Sequence, residues 1–247
     1  MKLSARQLRV LKSAPNSAYD LFKPEFLFHS NKMEGSTFSE LELQRLVDEG
    51  IVLGQHTIDD VLETRNSLDV FDYVVDTLGE PLTHEMLFKM NTMLFRGTED
   101  EKNGFTGRYK VLNNYIRGAS ISTAYPQEVP GAIEELIAKY GPEGPADVES
   151  IARFHSRFEH IHPFQNGNGR IGRFLIMKQC IESGVDLVLI DSEFEKPYKT
   201  WLEVSQADGV FGPLVQTFEQ CQRYLDEKAA EKGLDQALYV PPELLGD

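Results

Sequence analysis

Apolar residues recur at spacings of three and four along most of this chain, and strand-like alternation is rare. "SELELQRLVDEG" (39–50) puts Leu41, Leu43, Leu46 and Val47 mostly on one side and stops at a glycine. "TIDDVLETRNSLDVFDYVVDTLG" (57–79) reads as a long amphipathic helix, with Thr57 as its cap and Gly79 closing it. "THEMLFKMNTMLFRG", "VPGAIEELIAKYG", "ADVESIARFHSRFEHI", "GRIGRFLIMKQCIESG" and "GPLVQTFEQCQRYLDEKAAEKG" repeat the scheme. Such a chain must bury helix faces against helix faces, so the expected fold class is mainly α, a helical bundle. Two stretches depart from it. "GRYKVLNNYIRGASIST" (107–123) alternates weakly around "NN" and suggests a short β-hairpin. "VDLVLID" (185–191) fits a buried strand, a helix end or an extended loop.

The stretch that conflicts with its own helix is "HIHPFQNGNGRIGRFLI" (160–176), which sets Arg170 and Arg173 in the first turn. Unpaired N–H groups already make a helix N-terminus positive, so two cations there require an anion. Composition limits what that anion can be. A formal charge of −14 excludes a general nucleic-acid binder, and any phosphate site must be a local basic pocket in an acidic protein.

Three readings of the stretch compete. Gly167, Gly169 and Gly172 match the dinucleotide pattern G-x-G-x-x-G, with Asp191 about 20 residues on as the ribose-binding acid. Those glycines should follow a buried strand, whereas "ARFHSRFEHIH" has helical spacing. A zinc site from His155, His160 and His162 fails on spacing: 155 and 160 are five apart rather than four, and His162 precedes a helix-ending proline. Ordinary hydrogen-bonded positions suit His155 and His160 better. The third reading is a phosphate site. Pro163 stops one helix, "QNGNG" lets the backbone approach a ligand, and a new helix near Gly169 adds free N–H groups and two guanidinium forks. His162 would stand beside the phosphates as a general base. A surface helix start, with arginines paired to local carboxylates, stays open as the plainer alternative.

"HPFQNGNGRIGR" resembles the signature of the Fic family, H-x-F-x-(D/E)-G-N-G-R-x-x-R, at every fixed position except one. The similarity extends to a long helix around "ETRNSLDVFDYV" and a hairpin flap near "GRYKVLNNYIRG". It implies a Fic-type helical bundle with a short β-hairpin flap, and transfer of AMP from ATP to a hydroxyl side chain of a target protein. By that resemblance His162 would be the base and Phe164 a core anchor. Gly167, Asn168 and Gly169 would form the anion hole, with Asn168 adding a side-chain donor, and Arg170 and Arg173 would hold the distal phosphates. Asn166 is the departure: the family usually has a carboxylate there to hold Mg²⁺, and an amide ligates the ion more weakly. Upstream, "SNKMEG" (30–35) resembles the family's inhibitory element (S/T)-x-x-x-E-(G/N), so that Ser30 and Glu34 would belong to it and Glu34 would pair with Arg173 at rest.

The expected function is therefore a protein adenylyltransferase restrained by Glu34. Removal of AMP from a modified target, another nucleotide donor, or a weakly catalytic nucleotide-binding regulator are the alternatives. The expected partners are ATP, with Mg²⁺, and a target protein docked on the flap at 107–123. Self-modification and a homo-oligomer are compatible with this reading. The chain is expected to form one domain over 1–247, with an N-terminal helical segment over about 1–55, a core over about 56–232 and a loose tail at 233–247. No apolar run approaches the ~20 residues of a membrane span, "MKLSARQLRVLK" lacks a signal peptide's apolar core, and Cys180 and Cys221 show no metal spacing. These features set the expectation of a reduced, cytoplasmic protein away from membranes.

Overall fold

Side-chain caps set where half of the described helices begin. In the computed structural model, which describes residues 1–116, 121–141, 144–231 and 239–245, Ser4 and Ser39 close capping boxes at α1 (Ala5–Ser13) and α3 (Glu40–Glu49). Ser17, Thr57, Thr83 and Asp147 accept the first free N–H groups of α2 (Ala18–Lys32), α4 (Ile58–Asp76), α5 (His84–Leu94) and α8 (Val148–Ile161). α9 (Asn168–Ser183) starts differently: its N-cap is Gly167, which offers no side chain, so its opening N–H groups face the preceding loop. The other helices are α6 (Glu99–Lys102), α7 (Val129–Tyr140), α10 (Glu195–Asp208), α11 (Gly212–Glu231) and α12 (Pro242–Leu245).

α9 is buried on nearly every side from Ile171 to Ile181, as a helix at the centre of a bundle must be. α8, α2, α4 and α5 pack around it. An aromatic cluster fixes the two that matter most for the site. Phe71 of α4 receives Tyr19, Phe22 and Phe26 of α2 edge-on at centroid distances of 5.5, 5.8 and 5.6 Å. Phe26 also meets Phe174 of α9 at 5.3 Å. This packing carries the C-terminal end of α2, with Ser30 and Glu34, to the first turns of α9.

The segment 185–191 is an extended, largely buried strip without strand pairing among the described residues; Leu187 N–H donates to the Met1 carbonyl at 3.0 Å. Within 107–123, one antiparallel bridge joins Tyr115 to Ser122, so the pairing does not centre on Asn113–Asn114 as the sequence suggests, and residues 117–120 lie outside the described residues. Of the tail, 242–245 form α12, while 233–238 and 246–247 lie outside the description. Cys180 and Cys221 are free and buried. Among the described residues no helix is long and apolar enough to cross a membrane.

Candidate functional site

α8 ends where Pro163 forbids another helical residue before it, and His162 turns into the left-handed conformation, φ 52° and ψ 61°. Only Asn16 shares a positive φ among the described non-glycine residues, so the chain stores strain at His162. Its Nδ1 lies 3.3 Å from the Glu159 carbonyl oxygen, which can only accept. The ring proton therefore sits on Nδ1, and Nε2 keeps its lone pair. Burial, helped by the Lys110 charge, pushes the imidazole down to about 4 against the opposing Glu159 carbonyl and Glu34 carboxylate. At neutral pH His162 is an uncharged proton acceptor.

The loop after His162 is closed by its own side chains. Phe164 is fully buried. The Asn168 amide clamps it on both sides: Phe164 N–H donates to Asn168 Oδ1 at 2.8 Å, and Asn168 Nδ2 donates to the Phe164 carbonyl at 2.9 Å. The Asn168 side chain is thus spent inside the loop, because buried backbone groups must be satisfied. It leaves a ligand only the residue's backbone N–H, not the side-chain donor the sequence suggested. Gly167 is left-handed, φ 84°, and a Cβ there would collide with the Phe95 ring. A Cβ on Gly169 would run into the Glu34 carboxylate and the Arg173 guanidinium. Asn166 accepts from Gly167 N–H through Oδ1 at 2.7 Å and donates through Nδ2 to Asp100 Oδ2 at 2.9 Å.

The two arginines part company. Arg173, buried, donates from Nε to Ser30 Oγ at 3.0 Å and from Nη2 to the Ser30 carbonyl and Glu34 Oε1, both at 2.8 Å. Burial alone would raise the Glu34 carboxyl, but the Arg173 and Arg170 charges outweigh it and hold the group below its ordinary range. Arg170, expected beside Arg173, is captured by Glu63 of α4 at 2.5 Å and lies 5.1 Å from the Phe95 ring centroid. Burial raises the Glu63 carboxyl, an effect that Arg170 offsets only in part.

A cleft of about 910 Å³ collects these parts. His162, Asn166, the 167–169 turn, Arg173 and Glu34 form one wall, and α10 supplies the facing one through Tyr198 and Lys199. Glu159 also lines it: buried, its carboxyl is pushed up to about 8 despite Arg173, so it is largely a neutral acid at pH 7. Glu159, Asp100, Glu63 and Lys110 escape a reading of the sequence, since helical spacing marks faces and not which face meets which. For Glu159 the one available signal is its place in the run "FEHIHP", three residues before His162.

Neither rejected reading of the motif finds support. His155 Nε2 meets the Tyr198 hydroxyl at 2.8 Å, His160 Nδ1 has no partner among the described residues, and the three histidines do not converge. Asp191 is buried against Lys228 at 2.7 Å and His29 at 3.3 Å. With Glu25 this makes the one cluster among the described residues whose atoms could hold a metal, all within 4.8 Å of one another. Lys228 already supplies its positive charge.

The chain resembles known proteins along much of its length. Residues 81–180 match the model of the Fic/DOC family. The chain is 24% identical over 246 residues to a protein adenylyltransferase Fic of Culex quinquefasciatus, covering 95% of this chain and 44% of that one. It is 32% identical over 112 residues to a probable protein adenylyltransferase of Aquifex aeolicus, covering 44% of this chain and 33% of that one. The chain thus spans less than half the length of these curated relatives. A Fic domain containing signaling protein from Bacteroides thetaiotaomicron superposes with a TM-score of 0.70 at 25% identity, over 95% of each chain. Motif, fold and relatives point the same way: residues 81–180 match the Fic/DOC family, and the chain as a whole has the fold of a Fic-domain protein.

Proposed function

We propose that this protein transfers AMP from ATP to a hydroxyl of a target protein, and that Glu34 restrains it. The observation that carries the reading is the convergence on one cleft of a neutral His162, the uncapped N-terminus of α9 and Arg173. His162 Nε2 takes the proton of the target hydroxyl as its oxygen attacks the α-phosphorus. The bond from that phosphorus to the bridging oxygen breaks, and pyrophosphate leaves. The backbone N–H groups at 167–169 and the α9 dipole stabilise charge on the phosphate, and Arg173 holds the distal phosphates. Positioning and electrostatics account for most of the catalysis in such a transfer. Arg170 acts from behind, through its field and its bond to Glu63.

Glu34 sits where the distal phosphate would bind Arg173, so ATP must displace it to bind productively. Ser30 belongs to the same device, since it accepts from Nε and, beside Glu34, from Nη2 of the same guanidinium. A magnesium ion would supply charge neutralisation for the departing pyrophosphate. Asn166 has no charge and its oxygen is engaged by Gly167, so Asp100, hydrogen-bonded to Asn166, is the acid that would hold the ion with it. For the target protein, Val111, Leu112 and Tyr115 stand exposed on the 107–123 segment, where an extended chain could pair with the backbone and present its hydroxyl to His162. We read the chain as one cytoplasmic unit in which residues 1–55 regulate a core at 56–232.

The test is labelled ATP with a Glu34→Gly variant and a cell lysate. Label should enter this chain or a lysate protein, and adding His162→Ala should reduce it ~10²–10⁴-fold while nucleotide binding persists. Transfer within a few-fold of the parent would remove His162 from the mechanism.

A further inference from the structure

Lys110 is a buried lysine, 3% exposed, at the start of the 107–123 segment. Its ammonium donates to Asn114 Oδ1 at 2.8 Å, Thr123 Oγ1 at 3.0 Å and the Ile161 carbonyl at 3.3 Å. Three N–H donors meet three neutral oxygens, and the carboxylate whose charge reaches the ammonium, Glu128, opposes the effect of burial only in part. Those oxygens come from both arms of the 107–123 segment and from the last residue of α8, next to His162. The main chain repeats the seam. Lys110 N–H donates to the Pro163 carbonyl at 2.8 Å, Asn114 Nδ2 to the Phe164 carbonyl at 2.8 Å, and Leu112 N–H to Gln165 Oε1 at 3.2 Å.

A buried cation whose direct partners are all neutral is costly, so its place needs a reason beyond filling space. The negative end of the α8 dipole stabilises part of the charge. The charge also reaches the imidazole of His162, the residue after Ile161. We propose that Lys110 is a positioning residue: it ties Asn114 and Thr123 to the end of α8 and so fixes the His162 turn, and its cation adds to burial in disfavouring a second proton on that ring. The importance of a neutral ring rests on the proposed role of His162 as base; the charge effect itself does not.

Other groups face the ring too. Glu34, beyond α2, works in the opposite direction to Lys110. Glu159 of α8 is neutral up to about pH 8 and offers its carbonyl, while Arg173 of α9 and Tyr198 of α10 line the same cleft. Lys110 itself, lowered to about 8 by burial, is charged through the neutral range. Of the groups whose charge reaches His162, it is the one whose cation opposes protonation.

The experiment is an NMR titration of the His162 ring in the full chain, in the parent, Lys110→Gln and Lys110→Arg. The parent should titrate well below the ordinary histidine value of about 6.5. Lys110→Gln keeps hydrogen-bond donors and removes the charge, and it should raise the His162 value by roughly one unit. Lys110→Arg keeps the charge and should stay within a few tenths of a unit of the parent. In the Glu34→Gly background, the acid limb of the transfer rate should move up with the titration in Lys110→Gln alone. A parent value at or above about 6.5 overturns the inference without any variant being needed. So does a Gln variant that titrates with the parent, or an Arg variant that moves as far as the Gln variant. If no variant transfers AMP but the titrations follow this pattern, the proposed activity fails and the role of Lys110 stands.

Discussion

α9 sends two arginines from neighbouring positions toward two glutamates, and the pairs are not alike. Arg173 meets Glu34 at 2.8 Å and Arg170 meets Glu63 at 2.5 Å, so distance does not separate them. Backbone attachment does. Glu63 lies inside α4, held by that helix's hydrogen bonds on both sides. Glu34 follows the last turn of α2, beside a left-handed Gly35, and borders the open cleft. Their protonation differs as well. Glu34 is held below its ordinary range by the arginines, whereas Glu63, with Asp100 and Asp59 nearby, is held above it. An acid at a helix end beside a cleft can yield its place to a phosphate, while Glu63, on α4 and away from the cleft lining, has its backbone fixed by the helix and meets no phosphate there. On the proposed reading the first pair is a removable restraint and the second a fixed support.

Removing the arginines should break the symmetry most clearly. Arg173→Ala takes away the phosphate ligand and should reduce transfer ~10²–10³-fold, the usual cost of a lost charge-stabilising group. Arg170→Ala should cost about tenfold, because it acts through its field and its support of α4. Labelled-AMP incorporation compares them in the Glu34→Gly background. Equal losses would mean that both arginines hold phosphate directly.

The acids should separate in the opposite sense. A charge-assisted bond is worth ~1.5–3 kcal/mol, so loss of the Glu34 pair should increase turnover roughly 10–150-fold. Glu34→Gly should reach that range, and Glu63→Gln should give no gain. Glu34→Gly with Arg173→Ala should behave like Arg173→Ala, since relief is useless without the ligand. Activation by Glu63→Gln would show that the second pair also restrains the enzyme.

Much of this could be read from residue order, and the rest could not for identifiable reasons. α3, α4, α5, α7, α8, α9 and α11 announced themselves by spacing and caps, as in "SELELQRLVDEG" with its Ser39–Glu42 box and final Gly50, whereas α6, α10 and α12 carried no such signal. α2 did not either, because Pro24 interrupts it and its many buried residues leave no polar stripe to set a period. The loop residues His162 and 166–169 and Arg173 could be picked out because the motif is contiguous. The partners of that loop could not. Asp100, Glu63 and Lys110 are brought in by α6, α4 and the 107–123 segment, and that depends on packing between distant elements. The Asn168 side chain misled for a related reason: a residue type shows what it can donate, not where its partner is.

Glu159 sharpens the comparison from within the Arg173 side. It faces the same guanidinium as Glu34, yet burial pushes it up to about 8. A raised carboxyl binds a proton in the folded state that the unfolded chain has lost above about pH 4.5. Stability should therefore fall as pH rises from about 5 to 8, by up to ~1.4 kcal/mol per unit from this one group. Glu159→Gln should remove that slope, as denaturant unfolding at several pH values would show. An unchanged slope would mean that Glu159 is ionised at neutral pH, and that two carboxylates share Arg173.

The smallest expected effect lies on the Arg170 side, where charge surrounds Asn166 without residing on it. Asp100 accepts the Asn166 amide at 2.9 Å, and Asp59 and Asp100 both raise Glu63. Asn166→Asp would place a carboxylate on the loop itself, but beside Asp100, and two carboxylates in contact raise one another. Part of the gain is lost to that repulsion. The variant should lower the Mg²⁺ needed for half-maximal transfer about fivefold, less than a free carboxylate would give. Asp100→Asn should raise it by a similar factor if Asp100 supplies the charge that Asn166 lacks. Both can be followed as Mg²⁺ titrations of transfer in the Glu34→Gly background. Mn²⁺ binding with a non-hydrolysable ATP analogue gives a second readout independent of turnover. If Asp100→Asn leaves both curves unmoved, the ion is held by the nucleotide and water alone, and the acids around Arg170 serve α4 rather than the metal.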